Sequence, residues 1–148
     1  MPLSGTDDGK KDEREMKRRI IAPVLTAAVL LMAAVCHAET VDFSGMDLRF
    51  VDAVGLTGYY VDMNAVSIKS NDEATARVEI VKADANRLYL YRIAFDRKKR
   101  TYQILDSVVA EYETKEITGG SNVPLKPQNY AKGSAMETVV EYVYSPQR

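Results

Sequence analysis

One cysteine, one histidine and no tryptophan occur in the 148 residues, and the first two are neighbours, Cys36 and His37. A lone cysteine excludes an intrachain disulfide, and so little cysteine and histidine leaves no Cys/His zinc site. Neither sign of charge dominates, since 20 Lys and Arg face 21 Asp and Glu, and a nucleic-acid partner would call for a strongly basic face. No Asp-x-Asp-x-Asp-Gly loop, Gly-x-Ser-x-Gly elbow or phosphate-cradling glycine loop is present. Lys132 and Ser134 stand close enough to raise a Ser-Lys dyad, but a helix cap explains that serine better.

Long apolar runs are equally scarce, and the principal one is informative. Met16-Lys17-Arg18-Arg19 precedes an apolar stretch from Ile20 to Val35, and Cys36-His37-Ala38 closes it with small residues at the first and last place. This is the pattern of a secretory signal peptide over 16–38, cleaved after Ala38. A spanning helix needs about 20 apolar residues, whereas this run is shorter, carries Pro23 and lacks a basic flank on its far side. Lipidation of Cys36 would want a small residue before it, and Val35 stands there. Asp12, Glu13 and Glu15 put acid where an export segment is basic, so residues 1–15 are expected to be a disordered, over-extended gene start, with translation beginning at Met16.

Cleavage would remove the only cysteine and histidine and leave a single mature domain, 39–148, with a net charge of about −2. Thiol nucleophiles and histidine-based triads are then excluded. The expectation is an exported protein that is not an enzyme and has no cofactor and no metal site. The missing disulfides are unusual for an exported chain of this size.

From Leu48 onward, apolar and polar residues alternate at the period of half-buried strands. Tyr59, Val61 and Met63 share one face opposite Tyr60 and Asp62, and Ala76, Val78 and Ile80 alternate with Arg77 and Glu79. In Arg87 to Phe95, Tyr89, Tyr91, Ile93 and Phe95 oppose Leu88, Leu90, Arg92 and Ala94. The polar turn Asp96-Arg97-Lys98-Lys99-Arg100 then returns the chain as Thr101 to Tyr112, with Tyr102, Ile104, Val108, Ala110 and Tyr112 expected on one face. Lys115 to Thr118 could extend the sheet before Gly119-Gly120-Ser121-Asn122 breaks it, and an extended loop through Pro124 and Pro127 follows.

Beyond the loop the period changes. Ser134 and Glu137 form a capping box, in which the serine oxygen accepts from Glu137 N–H and the glutamate reaches back to Ser134 N–H. Met136, Val139, Val140 and Val143 recur at helical spacing as one apolar face. Valine is a weak helix former, so packing on the sheet must hold this helix, and Pro146 marks its end. The fold class is α+β: an antiparallel sheet of about six strands with a C-terminal helix on one face.

The segments Gly58-Tyr59-Tyr60-Val61-Asp62-Met63-Asn64-Ala65-Val66, Tyr91-Arg92-Ile93-Ala94-Phe95-Asp96, Tyr102-Gln103-Ile104-Leu105 and Gly133-Ser134 resemble, in this order, the bacterial surface-adhesin protein E family. The resemblance spans roughly Leu48 to Tyr144. It implies the same sheet-and-helix fold, often dimeric, in the periplasm or on the outer surface of a diderm bacterium, and in the best-studied type of member binding to host matrix and plasma proteins. Members commonly carry a cysteine just after the Phe-Asp pair and another near the end of the C-terminal helix, and that disulfide ties helix to sheet. Here Arg97 stands at the first place and Tyr144-Ser145-Pro146 at the second.

Candidate contact groups are few. Arg97, Lys98, Lys99 and Arg100 form a basic turn suited to a sulfated glycan, an anionic membrane surface or an acidic protein, although turns are polar for solubility alone. Tyr59, Tyr89, Tyr91, Tyr102 and Tyr112 are expected on a common face, as core beneath the helix or as an aromatic platform. Arg92 marks the opposite face as the wetter one, where a second subunit of a homodimer could sit. Asp62 is expected to close a turn or pair with a backbone amide rather than to catalyse. The leading expectation is an exported, adhesin-like binding module for protein or glycan; the alternative is a periplasmic structural or accessory domain of envelope assembly with no host ligand.

Overall fold

The structure, a computed structural model, describes residues 38–145. The gene-start segment and the export segment expected over 16–38, Ala38 excepted, lie outside the described residues, as does Pro146. The elements are β1 (Leu48–Val54), β2 (Thr57–Ile68), β3 (Glu73–Lys82), β4 (Arg87–Asp96), β5 (Thr101–Glu111), β6 (Ile117–Ser121), β7 (Gln128–Asn129) and the helix α1 (Ala135–Tyr144). The first six strands neighbour one another in chain order, every pairing antiparallel, and β7 also pairs with β5. The fold is α+β, with one C-terminal helix packed against an antiparallel sheet. Among the described residues no helix is long and apolar enough to cross a membrane.

The alternating pattern of β3 and β4 produces the main core. Val61, Ala74, Ala76, Val78, Ile93 and Phe95 are buried on one face, and Val139, Val140 and Val143 of α1 close over them with Met136 beside them. The helix lies over β1, β2 and β3, where the alanines leave room for its valines. Ser134 caps it, its Oγ accepting from Glu137 N–H at 3.3 Å. The expected reciprocal bond is different. Glu137 Oε2 accepts from Gly133 N–H at 2.6 Å, and Ser134 N–H is satisfied by Ala131 O. One residue of offset frees the other glutamate oxygen for Arg100, 2.7 Å away.

Bulges alter what simple alternation predicts. Arg92 faces Asp106 while Ile93 faces Ile104, so Leu105 is an extra residue in β5. Side-chain parity reverses there. Tyr102 and Ile104 pack in the helix-side core, whereas Val108 and Ala110 join a second cluster with Leu88 and Leu90. The single face expected for Tyr102 to Tyr112 is therefore divided between the two sides of the sheet.

That second cluster covers part of the face on which Arg92 lies. Val41, Phe43 and Met46 pack against Leu88, Leu90 and Ala110, so the chain ahead of β1 acts as a strap across the sheet. Its start is pinned to the β6 edge by Val41 N–H to Lys115 O (2.9 Å) and Ile117 N–H to Glu39 O (2.7 Å). Its end is held at β2 by Met63 N–H to Asp47 O (2.9 Å) and by Asn64 Nδ2 to Gly45 O (2.9 Å).

The glycines expected to break the sheet instead lie inside β6. A Cβ on Gly120 would stand 2.5 Å from Ser107 O, so glycine there permits close approach of the two backbones. Past β6, Leu125 N–H reaches Ile104 O at 2.9 Å and β7 rejoins β5 at Thr101 and Tyr102. The proline-bearing loop thus follows the β5 edge.

Candidate functional site

The basic turn is largely committed to its own domain. Arg97 donates to Asn71 O at 2.6 Å, and its guanidinium lies 4.4 Å from the Tyr144 ring centroid. Arg100 pairs with Glu137 at 2.7 Å and lies 5.0 Å from the Tyr130 ring centroid. Lys99 pairs with Asp96 at 2.8 Å. The Gly133 N–H and then Arg100 hold the Glu137 carboxyl below its ordinary range. That stabilising effect is present above the ordinary glutamate pKa and is lost as pH falls through the lowered one. The turn therefore fastens both ends of α1 to the β4–β5 hairpin.

Arg97→Ala should lower the melting temperature by about 2–6 °C, from roughly 0.5–1 kcal/mol of cation–π contact. Tyr144→Phe keeps the ring and removes a buried hydroxyl that has no hydrogen-bond partner among the described residues, so its melting temperature should hold or rise. Thermal melts of the two variants check this; a Tyr144→Phe loss as large as that of Arg97→Ala would contradict it.

The opposite face carries the more distinctive arrangement. Asp62 pairs with Arg77, Arg77 with Arg92, and Arg92 with Asp106, each directly across from the next on β2, β3, β4 and β5. Asp62 is 1% exposed and its Oδ1 accepts from Asp47 N–H (3.0 Å) and Asn64 N–H (3.1 Å), while Oδ2 takes Arg77 Nη1 at 3.2 Å. Its role is backbone pairing plus one ion pair. Arg92 Nε meets Asp106 Oδ2 at 2.6 Å. The Arg77 and Arg92 side chains remain 41% and 56% exposed. Two arginines thus stand opposite each other in register, each tied to one carboxylate at the end of the row.

A cavity of about 310 Å³ adjoins this row, between the strap (Glu39, Asp42, Met46) and the sheet (Leu90, Arg92, Val108). Beside it Glu79, 6% exposed, lies in the row of β3 residues that Leu90 neighbours. Burial pushes its carboxyl upward, and Lys115 opposes that shift. Lys115 itself stands 4.0 Å from the Tyr112 ring centroid and 5.9 Å from that of Phe43.

A raised carboxyl favours the protonated folded state, so the stability it contributes is complete below the ordinary glutamate pKa and is lost as pH rises through the raised one. Glu79→Gln should consequently melt a few degrees higher at pH 7, on the order of 1 kcal/mol, with the gain vanishing near pH 4. Melts at both pH values check this; a Gln variant that is less stable at pH 7 would mean Lys115 outweighs burial.

The five tyrosines do not share a face. Tyr59, Tyr91 and Tyr102 pack at the margin of the helix-side core, and Tyr89 stacks on Tyr91 with centroids 5.8 Å apart. Tyr112 projects with Ala110 and Val108 toward the strap side, where Lys115 links it to Phe43. Of the five, Tyr59, Tyr91 and Tyr102 belong to the core beneath and beside α1.

The Arg77–Arg92 pairing was readable in principle. Counting outward from Lys82 and Arg87 across the turn at Ala83–Ala85 reaches it. Asp106 was not, because the same count would set Leu105 opposite Arg92, and only the bulge delivers the aspartate. Comparison with family models, curated proteins and solved structures gives no match.

Proposed function

We propose that the chain is an exported, non-enzymatic binding domain of the bacterial envelope or outer surface, adhesin-like toward host matrix or other proteins. Its contact surface is the sheet face opposite α1. The observation carrying this is the Arg77–Arg92 pair in direct register. Like charges placed opposite across strands cost stability, and neither apolar cluster contains them. Exposed arginines beside apolar side chains are what protein interfaces favour at their centres.

The resemblance to the protein E family supports the same class. Where that family's cysteine pair would join sheet to helix, Arg97 lies against Tyr144, a noncovalent tie between the corresponding places. The export segment, though outside the described residues, supports the periplasm or outer surface as the location.

A second reading, an accessory domain of envelope assembly without a host ligand, is favoured by the apolar edge. Phe50 and Val54 on β1 and Leu56 in the turn after it are all exposed, and an open edge can pair with another chain. The bulge between Phe50 and Asp52 works against simple strand addition, which leaves a homodimer through that edge as the weaker course.

Fractionation of the native protein, followed by binding to a panel of extracellular-matrix proteins and to a solubilised envelope fraction, tests the proposal. Surface exposure with saturable matrix binding is expected. A protein recovered in the periplasm that binds only the envelope fraction would favour the accessory reading, and one retained in the cytoplasm would overturn both.

A further inference from the structure

We propose that the cavity beneath the strap is a site for a zwitterionic apolar amino acid. This goes beyond contact with a macromolecular partner and does not require it. The cavity, about 310 Å³, is of a size that small-molecule sites use, and its apolar lining includes Leu90, Val108 and Met46. Its lining includes residues of both signs, Arg77 and Arg92 with Glu39, Asp42 and Asp106.

These groups are only partly spent. Each guanidinium commits one nitrogen, Arg77 Nη1 to Asp62 and Arg92 Nε to Asp106, out of a fork with five N–H donors. Asp106 uses Oδ2 for Arg92, and Asp42 Oδ1 accepts from Ser44 N–H at 2.8 Å. Among the described residues, the Glu39 side chain and Asp106 Oδ1 accept no hydrogen bond.

The charge inventory selects the ligand class. On the chain cleaved after Ala38 the α-ammonium of Glu39 joins Arg77 and Arg92, so three cations stand beside three carboxylates; a simple anion would meet the carboxylates, and a simple cation the paired arginines. A molecule bearing both charges on one carbon satisfies both sets. Its carboxylate takes the open nitrogens of Arg92 and Arg77, its ammonium takes Glu39 and Asp106, and an apolar side chain rests on Leu90 and Val108. Because the strap supplies Glu39 and Met46, the site is complete only when the strap is docked.

Titration calorimetry of the purified protein with L-leucine, N-acetyl-leucine and leucinamide tests this. Leucine is expected to bind saturably, and the other two, each missing one charge, about tenfold more weakly or worse. Arg92→Gln should weaken leucine by about tenfold, and Glu39→Gln should weaken leucine while leaving N-acetyl-leucine unchanged. Should Arg92→Gln fail to fold, the exposed Glu39 variant decides alone. Equal affinity for leucine and either one-charge analogue, no change in Glu39→Gln, or no saturable binding of leucine, methionine or phenylalanine would overturn the proposal. Any of these results leaves matrix or envelope binding untouched, so the two proposals fail separately.

Discussion

Val140→Asp is expected to lift the C-terminal helix off the sheet and lower stability by about 4 kcal/mol or more. Val140 is 1% exposed between Val139 and Val143, over the alanines and Val78 of β3. A carboxylate there has no cation in the apolar cluster, and burying it unpaired costs more than the helix gains by docking. Valine-rich helices hold together through packing rather than propensity, so an undocked α1 should also lose its helical structure. Against a total of about 5–15 kcal/mol for a domain, the unfolding midpoint should fall by about a quarter or more. A urea titration followed by tyrosine near-ultraviolet dichroism measures this, and a midpoint unchanged from the parent would show that the helix does not hold the main core closed.

Asp62→Ala is expected to cost about 3 kcal/mol, or roughly 12 °C or more in melting temperature. The substitution leaves Asp47 N–H and Asn64 N–H without their acceptor and sets Arg77 beside Arg92 with no balancing carboxylate on its side. It also loosens the end of the strap, because Asp47 is held to the sheet through that side chain. Asp62→Asn keeps an oxygen for the two amides and loses only the charge, so its loss should be smaller and partly reversed by salt, which screens the two arginines. Removing Arg77 together with Asp62 should recover part of the loss. Equal losses in the Asn and Ala variants would mean that charge, rather than backbone satisfaction, dominates at this position.

These two sites also mark how far the amino-acid pattern alone could reach. Alternation at period two and the capping serine were enough for the class of fold and for the helix face Met136, Val139, Val140 and Val143, since both depend on local spacing. The bulges at Leu105 and after Asp62 depend on which strand lies alongside, and nothing local signals them. The one at Leu105 divided the expected tyrosine face and brought Asp106 opposite Arg92. The strap was missed for a related reason: Val41, Phe43 and Met46 are too sparse to show a period. Arg97, Lys98, Lys99 and Arg100 were conspicuous as a charge run, but Glu137, Tyr130 and Tyr144, which engage Arg97 and Arg100, lie thirty or more residues away in sequence. Sequence proximity made that turn look like a surface site, whereas the arginines farther apart, Arg77 and Arg92, became neighbours only through pairing.

The most direct test of binding through the face opposite the helix compares two charge reversals by surface plasmon resonance. The immobilised target is the matrix or envelope component that the protein binds, and the analytes are Arg92→Glu and the double variant Lys98→Glu/Lys99→Glu. Arg92→Glu should weaken binding about tenfold or more, as removal of a central arginine does at interfaces, while the double variant stays within about twofold of the parent, as rim charges do. Loss of binding in the lysine variant with Arg92→Glu unaffected would place the contact on the turn and contradict the proposal.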